Sequence, residues 1–566
     1  MFSSFYIRFL PIVLLFVLFY FPALPVLGQK TDTSKNVPIN IKSKSFESLQ
    51  TDSGDFNKFI GNVQFEQEGS IMYCDSAYQN QKTQNLEGFG NVKIVQPGGT
   101  QATSDYIRYT SGTKEAFLRG NVVLVDTRGT LKCDELTYNT GTKTGVYTQG
   151  GNLQNDSTNV KSKTGTYNSN TKDSRFAGNV VITDPQYHIT SEDLTYNTET
   201  KIIEFFSPSV VTSDKSVLHT TCGTYDSKDE IAHFPCRSSV MNEDQYLEGD
   251  TIYYSKLKGA GTADGHVISI DTTQHATLYC GHADYKRRSR QLWATIKPVL
   301  KQISNKDSLF IRADTFYSAP ISKRIDSVKK PRIVKKDSVE HSHAKKKKVI
   351  VEKFAKTVIT SEKVEETDTS SNADSTAPRF YIGYHHILIF SDSLQGRCDS
   401  ITYTQSDSLL RMIYKPVAWS HKSQITGDTI LLKMDSGKLK RMYVPNNAFM
   451  VSQSGPAKAQ LYDQVQGKRL IGNFTNNAIT DMLVFPEAEC IYYSKDEKGA
   501  YLGVNQGSSD TLHILFNDQK IDKIIFTHDV HQTVTPMEKA NFGEMRLSRF
   551  HWLEADRPKS REELFK

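Results

Sequence analysis

The chain lacks the short motifs that most enzymes carry. It has no Gly-x-Ser-x-Gly elbow, no phosphate-cradling loop and no dinucleotide fingerprint. Hydrolases of the esterase type and nucleotide-dependent enzymes are left without their machinery, and no cofactor is called for. His219, His233, His341, His343, His385 and His386 supply imidazoles, but none stands at a compact metal-ligand spacing with cysteines or carboxylates. Helical periodicity is missing before residue 320, which excludes a helical bundle. Long apolar runs are scarce too: with 37% hydrophobic residues and a mean hydropathy of -0.48, the 566 residues read as a soluble protein.

The one long apolar run is Phe9 to Gly28, FLPIVLLFVLFYFPALPVLG, which follows Arg8 and is broken by Pro11, Pro22 and Pro25. That layout predicts a signal peptide over residues 1–28, and therefore export. No cysteine stands at the cleavage region, which argues against a lipoprotein. Export makes the seven cysteines a question, because an oxidising compartment permits disulfides. Cys74, Cys133, Cys280 and Cys398 occupy a place that Ser104, Ser162, Ser191, Thr220 and Gly249 fill in sister segments, so that place asks for a small side chain. Cys222 and Cys236 differ: they flank the polar turn of CGTYDSKDEIAHFPC symmetrically and could face each other across a hairpin as a disulfide.

What the chain does have is repetition. Gly-Asn-Val begins a segment at Gly61, Gly90, Gly120 and Gly178, and Tyr109, Tyr138, Tyr167, Tyr196, Tyr225 and Tyr254 recur every 29 residues. A period in this range indicates stacked supersecondary units. Within a unit the pattern alternates, as in Val63 with Phe65, Val92 with Ile94, Val122 with Leu124 and Val180 with Ile182, so each unit is built of strands with one buried face. Asn-Thr-Gly-Thr-Lys, Asn-Ser-Asn-Thr-Lys and Asn-Thr-Glu-Thr-Lys, from Asn139, Asn168 and Asn197, are the turns, where Asn and Gly are expected to take left-handed backbone.

The pattern divides the chain into a signal peptide (1–28), a β array (29–320), a Lys-rich insert (321–378), a second, degenerate β region (379–535) and a charged tail (536–566). The insert lacks alternation and apolar content, which predicts disorder. A solvated tether is the plainer reading of its charge, with contact to an acidic membrane surface or partner as the alternative, and it lacks the interleaved aromatics of a nucleic-acid binder. The tail ends in Lys566, unlike the aromatic end of an outer-membrane barrel strand.

Tandem units of Gly-Asn-Val, then small-Asp, then a Tyr strand resemble the OstA-like family of periplasmic lipopolysaccharide-transport proteins, which includes the LptA bridge and the N-terminal domain of LptD. The resemblance covers residues 56–290 well and 380–535 loosely. It implies an all-β fold, an open, elongated β-jelly roll whose interior holds lipid A acyl chains and whose ends join other Lpt-type jelly rolls edge to edge. It further implies a periplasmic place, lipopolysaccharide as ligand, delivery toward the outer membrane, and an LptD-type barrel among the partners. The length and the Lys-rich insert depart from the family pattern and leave bridge and companion roles both open.

On this reading the candidate groove lining is Val63, Phe65, Val92, Ile94, Val122, Leu124, Val180 and Ile182. The same residues would fill any β core. The repeated carboxylates Asp75, Asp105, Asp134, Asp250, Asp314, Asp399 and Asp428 occupy equivalent places and give way to Lys163, Thr221 and Gly281 in sister units, which assigns them a strand-edge or turn role in place of acid-base work. The competing class is an exported, non-enzymatic β-solenoid that binds polysaccharide or serves as a spacer.

Overall fold

The computed structural model describes residues 39–51, 54–67, 69–127, 129–303, 308–321, 378–435, 438–475, 478–496, 498–517 and 520–566. The segments assigned to the signal peptide and to the Lys-rich insert lie outside the described residues. Within them the chain is all-β: forty-four strands belong to one hydrogen-bonded system, every pairing is antiparallel, and no α-helix occurs among the described residues.

Each long strand is two half-strands joined at a bend. In Gly54–Gln67 the pairing with Ser70–Asn80 runs from Phe56 to Ile60, skips Gly61 and Asn62, and resumes at Val63. The same skip falls at Gly90-Asn91, Gly120-Asn121 and Gly178-Asn179. Both skipped residues have positive φ, +79° and +49° at Gly120 and Asn121, so the strand turns sharply without losing its partner. Because neighbouring strands are antiparallel, the half before one strand's bend pairs with the half after its neighbour's; the halves on one side of the bends form one sheet, those on the other side a second, and the two sheets meet along a common spine. We call the sheet that contains residues 63–67 and 70–74 sheet I and the one that contains 54–60 and 76–80 sheet II.

The Gly-Asn-Val and small-Asp signatures are two sides of one clasp at this spine. Asn91 Nδ2 donates to Asp75 Oδ2 at 2.8 Å, Asn121 Nδ2 to Asp105 Oδ2 at 2.9 Å, and Asn447 Nδ2 to both oxygens of Asp428 at 3.0 Å. Histidine replaces asparagine at His266 with Asp250 (2.6 Å) and at His386 with Asp314 (2.7 Å). A Cβ on Gly120 would lie 2.5 Å from Asp105 Oδ2, so glycine is required for space as well as for φ. Gly120→Ala is expected to destabilise this part of the array by about 1–3 kcal/mol. Urea melts of the variant beside Asp105→Ala/Gly120→Ala check it: if removing the carboxylate recovers none of the loss, the close approach is not its cause.

The turns at the far edge of sheet II differ from the expectation. Asn139, Asn168 and Asn197 use their side chains to cap the turn, Asn139 Oδ1 accepting from Gly141 N (3.0 Å) and Thr142 N (2.9 Å). The left-handed residue is the lysine that closes each turn: Lys143, Lys172 and Lys201 have φ of +60°, +68° and +62°. The five-residue turn ends with Lys201 N on Asn197 O at 2.9 Å, which leaves the left-handed position to its last residue. Thr140, Ser169 and Thr198 then bind the preceding turn's lysine carbonyl through both N–H and hydroxyl, which stacks the turns.

The two β regions that flank the Lys-rich insert are one array. Thr315–Pro320 pairs directly with Arg379–Phe390, and Ile321 N donates to Pro378 O at 2.8 Å, so the insert leaves and re-enters at one point on the sheet II edge. A single apolar core runs between the sheets from Phe59 to Ile514. At ~4.8 Å per strand, its contour is on the order of 100 Å long.

The segment read as a charged tail lies along the outer face of sheet I. Met545 and Leu547 join Leu461, Ile491, Tyr493 and Val504, and Leu564 packs on Val299 and Phe310. Two buried glutamines grip its backbone as a neighbouring strand would. Gln464 Nε2 donates to Met545 O (2.9 Å) while Gln464 Oε1 accepts from Leu547 N (2.9 Å), and Gln424 does the same with His551 O and Leu553 N (both 2.7 Å). Residues 545–566 thus form a strap that runs back over the second half of the array.

Cys222 and Cys236 face each other at the spine end of the hairpin made by Gly223–Asp226 and Ile231–Phe234, with Cα atoms 6.0 Å apart, and pair as a disulfide. Cys74, Cys280, Cys398 and Cys490 are buried, Cys133 half-buried, and all five are free. Burial pushes their thiols up, to about 11 at Cys74 and about 12 at Cys133, Cys280, Cys398 and Cys490, which makes them poor nucleophiles. Alkylation of the unreduced, unfolded protein is expected to label five cysteines and to spare Cys222 and Cys236. Seven labels would show that the pair does not form.

Candidate functional site

The two sheets enclose a seam: closed at the spine by the bends, it ends on the opposite side at a mouth where the turns of the two sheets meet. All eight predicted lining residues lie on the inner face of sheet I, just past a bend. Val63, Phe65, Val92, Val122, Leu124, Val180 and Ile182 are buried in the common core, and Ile94 packs against it. Val122 is 1% exposed and pairs with Cys133, whereas Leu124 borders a small cavity shared with Asp126, Leu131, Leu153 and Tyr167.

The mouth changes character along the array. Over residues 96–201 it is laced by polar side chains from opposite sheets. Tyr138 Oη and Lys143 Nζ both donate to Gln96 Oε1 at 3.5 Å. One repeat on, Tyr167 Oη donates to Asp126, and Lys172 Nζ lies 3.9 Å from the same carboxylate. One repeat further, Lys201 Nζ reaches Asn155 Oδ1 and, at 3.0 Å, Asp156 Oδ2. Where the lysines cross, the interior is filled by the rings of Tyr147, Tyr167 and Tyr196.

In the second half the mouth is apolar. Leu394, Ile425 and Met450 from sheet I face Met434, Leu439, Met442, Phe474, Ile479 and Phe516 from sheet II across a narrow cleft that is open to solvent and is also lined by Ser391, Ser393, Ser420, His421 and Ser423. Thioether side chains adapt to irregular partners, so three methionines suit this wall to flexible chains. Sequence reading missed these residues. Their signal was faint: Met434, Met442 and Met450 cluster in a degenerate stretch where the repeat no longer marks which face is buried.

His266, His282, His385 and His386 sit at the outer spine, away from the seam. His282 Nδ1 bonds Asp264 at 2.6 Å and Nε2 bonds Asp284 at 3.1 Å, and the hydrogen bond to Asp264 raises its pKa. Asp250 is held below the usual carboxylate range by its hydrogen bonds to His266 and Arg237. These pairs fasten bends. Among the described residues no group of three His, Cys, Asp or Glu side chains is placed to hold a metal ion, and no helix is long and apolar enough to cross a membrane.

Fold and seam together define a class: an all-β array of tandem, bent strand pairs stacked as an open jelly roll around a continuous apolar interior. Residues 38–192 match the family model described as OstA-like protein. Among solved structures, the chain is similar to LptH of Pseudomonas aeruginosa, described as the LptA-homologous periplasmic component of the conserved lipopolysaccharide transport device. That likeness has 11% identity and a TM-score of 0.20, and covers 25% of this chain and 95% of LptH. No curated protein matches the chain.

Proposed function

We propose that this protein is a periplasmic, lipopolysaccharide-binding component of transport to the outer membrane, which shields lipid A acyl chains between its two sheets. The observation that carries this reading is the unbroken apolar interior from Phe59 to Ile514, with its apolar mouth at Met434, Met442, Met450, Phe474 and Phe516. Each methylene withdrawn from water contributes about 0.8 kcal/mol, so a lipid with several chains needs cover to cross an aqueous compartment. A seam that is apolar along its length supplies that cover without holding any one position tightly. The OstA-like character of residues 38–192 supports lipopolysaccharide as the cargo.

The role is binding and not catalysis, since the seam presents side chains that pack and no reacting pair. Export by a signal peptide over residues 1–28 belongs to this proposal, as does end-to-end joining. Asn40–Lys42 and Ser45–Thr51 at one end of the array, and Lys520–Thr527 and His531–Pro536 at the other, each pair on one side only among the described residues, which leaves strand edges for another jelly roll or a barrel-associated partner. Mass spectrometry of the protein purified gently from its own membranes tests the reading. Co-purifying lipid A is expected; glycan without lipid would replace it with the polysaccharide-binding alternative.

A further inference from the structure

Four consecutive turns at the sheet II edge place a lysine in left-handed backbone: Lys114, Lys143, Lys172 and Lys201, with φ between +59° and +68°. Glycine or asparagine takes that conformation at least cost, and a lysine there forfeits about 1 kcal/mol. The conformation belongs to the turn, since Gln84, Glu230 and Ser408 take it at the same place in sister turns; what sets these four apart is the ammonium group. At the last three turns this group crosses the mouth to sheet I, and the partners it meets serve it unevenly. Lys143 finds a neutral amide at 3.5 Å, Lys172 a carboxylate no nearer than 3.9 Å, and Lys201 an asparagine and the 80%-exposed Asp156. Lys172 is meanwhile mostly withdrawn from water, its side chain 17% exposed.

The carboxylate that Lys172 meets is already held from beneath, because Tyr167 Oη donates to Asp126. Lys172 can leave without stripping Asp126 of its hydrogen bond. Directly below, Leu124, Leu131 and Leu153 border a small cavity under this one crossing, so the ammonium of Lys172 stands over a largely apolar interior. The turns repeat every second strand, which sets the ammonium groups about 10 Å apart along the mouth.

We propose that Lys143, Lys172 and Lys201 form a binding row for the phosphate groups of an amphiphile, each lysine exchanging its cross-seam partner for a phosphate oxygen while the apolar chains enter between the sheets. Without ligand the same lysines lace the mouth shut. This rests on the lipid-carrying reading above and names the head-group chemistry that reading leaves unassigned. A phosphate offers several charged oxygens where Lys143 now has an amide, Lys172 one carboxylate at 3.9 Å and Lys201 an asparagine and the exposed Asp156 at 3.0 Å, and charge-assisted bonds of this kind are about twice as strong as neutral ones.

The test compares binding of lipid A with that of its dephosphorylated counterpart by the full chain, measured as displacement of a fluorescent fatty-acyl probe. The intact protein is expected to prefer the phosphorylated form by about tenfold, the size of one to two charge-assisted bonds at a half-buried site. Lys143→Met/Lys172→Met/Lys201→Met is expected to lose that preference while it binds the dephosphorylated form as before. Lys143→Arg/Lys172→Arg/Lys201→Arg is expected to keep it, and Asp126→Asn, which frees Lys172, to strengthen it. A preference that survives in the methionine variant overturns the row, as does equal binding of both forms by the intact protein; in either case the lipid-carrying reading stands. If the intact protein binds neither form, both fall. Thermal melts of each variant confirm that a lost preference is not a lost fold.

Discussion

A chain ended at Pro536 is expected to lose the fold of its second half while the first half stays folded. The missing strap carries Met545 and Leu564, each buried against sheet I, and burial of such a side chain contributes about 1.5–3 kcal/mol. Gln424 and Gln464, both fully buried, would lose the backbone groups that satisfy them at about 1–3 kcal/mol each. Trp419, fully buried and the register partner of Gln424, stands on the same outer face and would be uncovered with it. The loss is on the order of 5–10 kcal/mol, comparable to the whole stability of a domain. Hydrogen exchange separates the halves: residues 395–508 should lose protection while residues 56–200 keep theirs. Unchanged exchange in the second half would show the strap to be a passenger.

Placing a carboxylate in the seam is expected to give opposite results at its two extremes. Val122→Asp buries a charge at a site 1% exposed, between Leu124 and Cys133, with no partner to compensate it. A loss above about 4 kcal/mol is expected, with local unfolding of the strand pair Glu115–Val125 and Thr130–Asn139. Phe516→Asp lies at the apolar mouth, half-buried, where the carboxylate can reach water. That variant should fold and lose acyl-chain binding. Melting temperature and acyl-probe binding, measured on both, decide: if Phe516→Asp binds as the intact protein does, the mouth is not the entrance, and if Val122→Asp folds normally, the first half of the seam is wetter than its packing implies.

Much of the architecture was legible because it is local. Alternation of Val122 and Leu124 encodes a strand with one buried face within a few residues, and recurrence of the same pattern every 29 residues encodes stacking. The Gly-Asn-Val mark gave the repeat, while the bend it makes in each strand became visible only in the structure. The carboxylate clasp at that bend was not legible, because Asp105 and Asn121 belong to different strands and meet only when these pair. The turns were only partly legible for a related reason: Asn139 tolerates left-handed backbone, yet its side chain serves as the cap and the fifth residue, Lys143, takes that conformation.

The sequence by itself determined the class of fold, the period of the array and the absence of catalytic motifs, and it singled out Cys222 and Cys236 as the one pair that could meet, since each depends on spacing along a short stretch. Only the tertiary structure decided where the seam is closed and where it opens. Lys201 and Asp156 are 45 residues apart, Gln424 and His551 are 127, and Lys297 and the carbonyl of Lys566 are 269. No local preference links such residues; their contact follows from two sheets folded face to face and from a strap that doubles back along one of them. The same holds for continuity across the insert: composition marked residues 321–378 as a break, while the strands on either side pair as neighbours, because backbone hydrogen bonds in a sheet take no account of how much chain separates the partners.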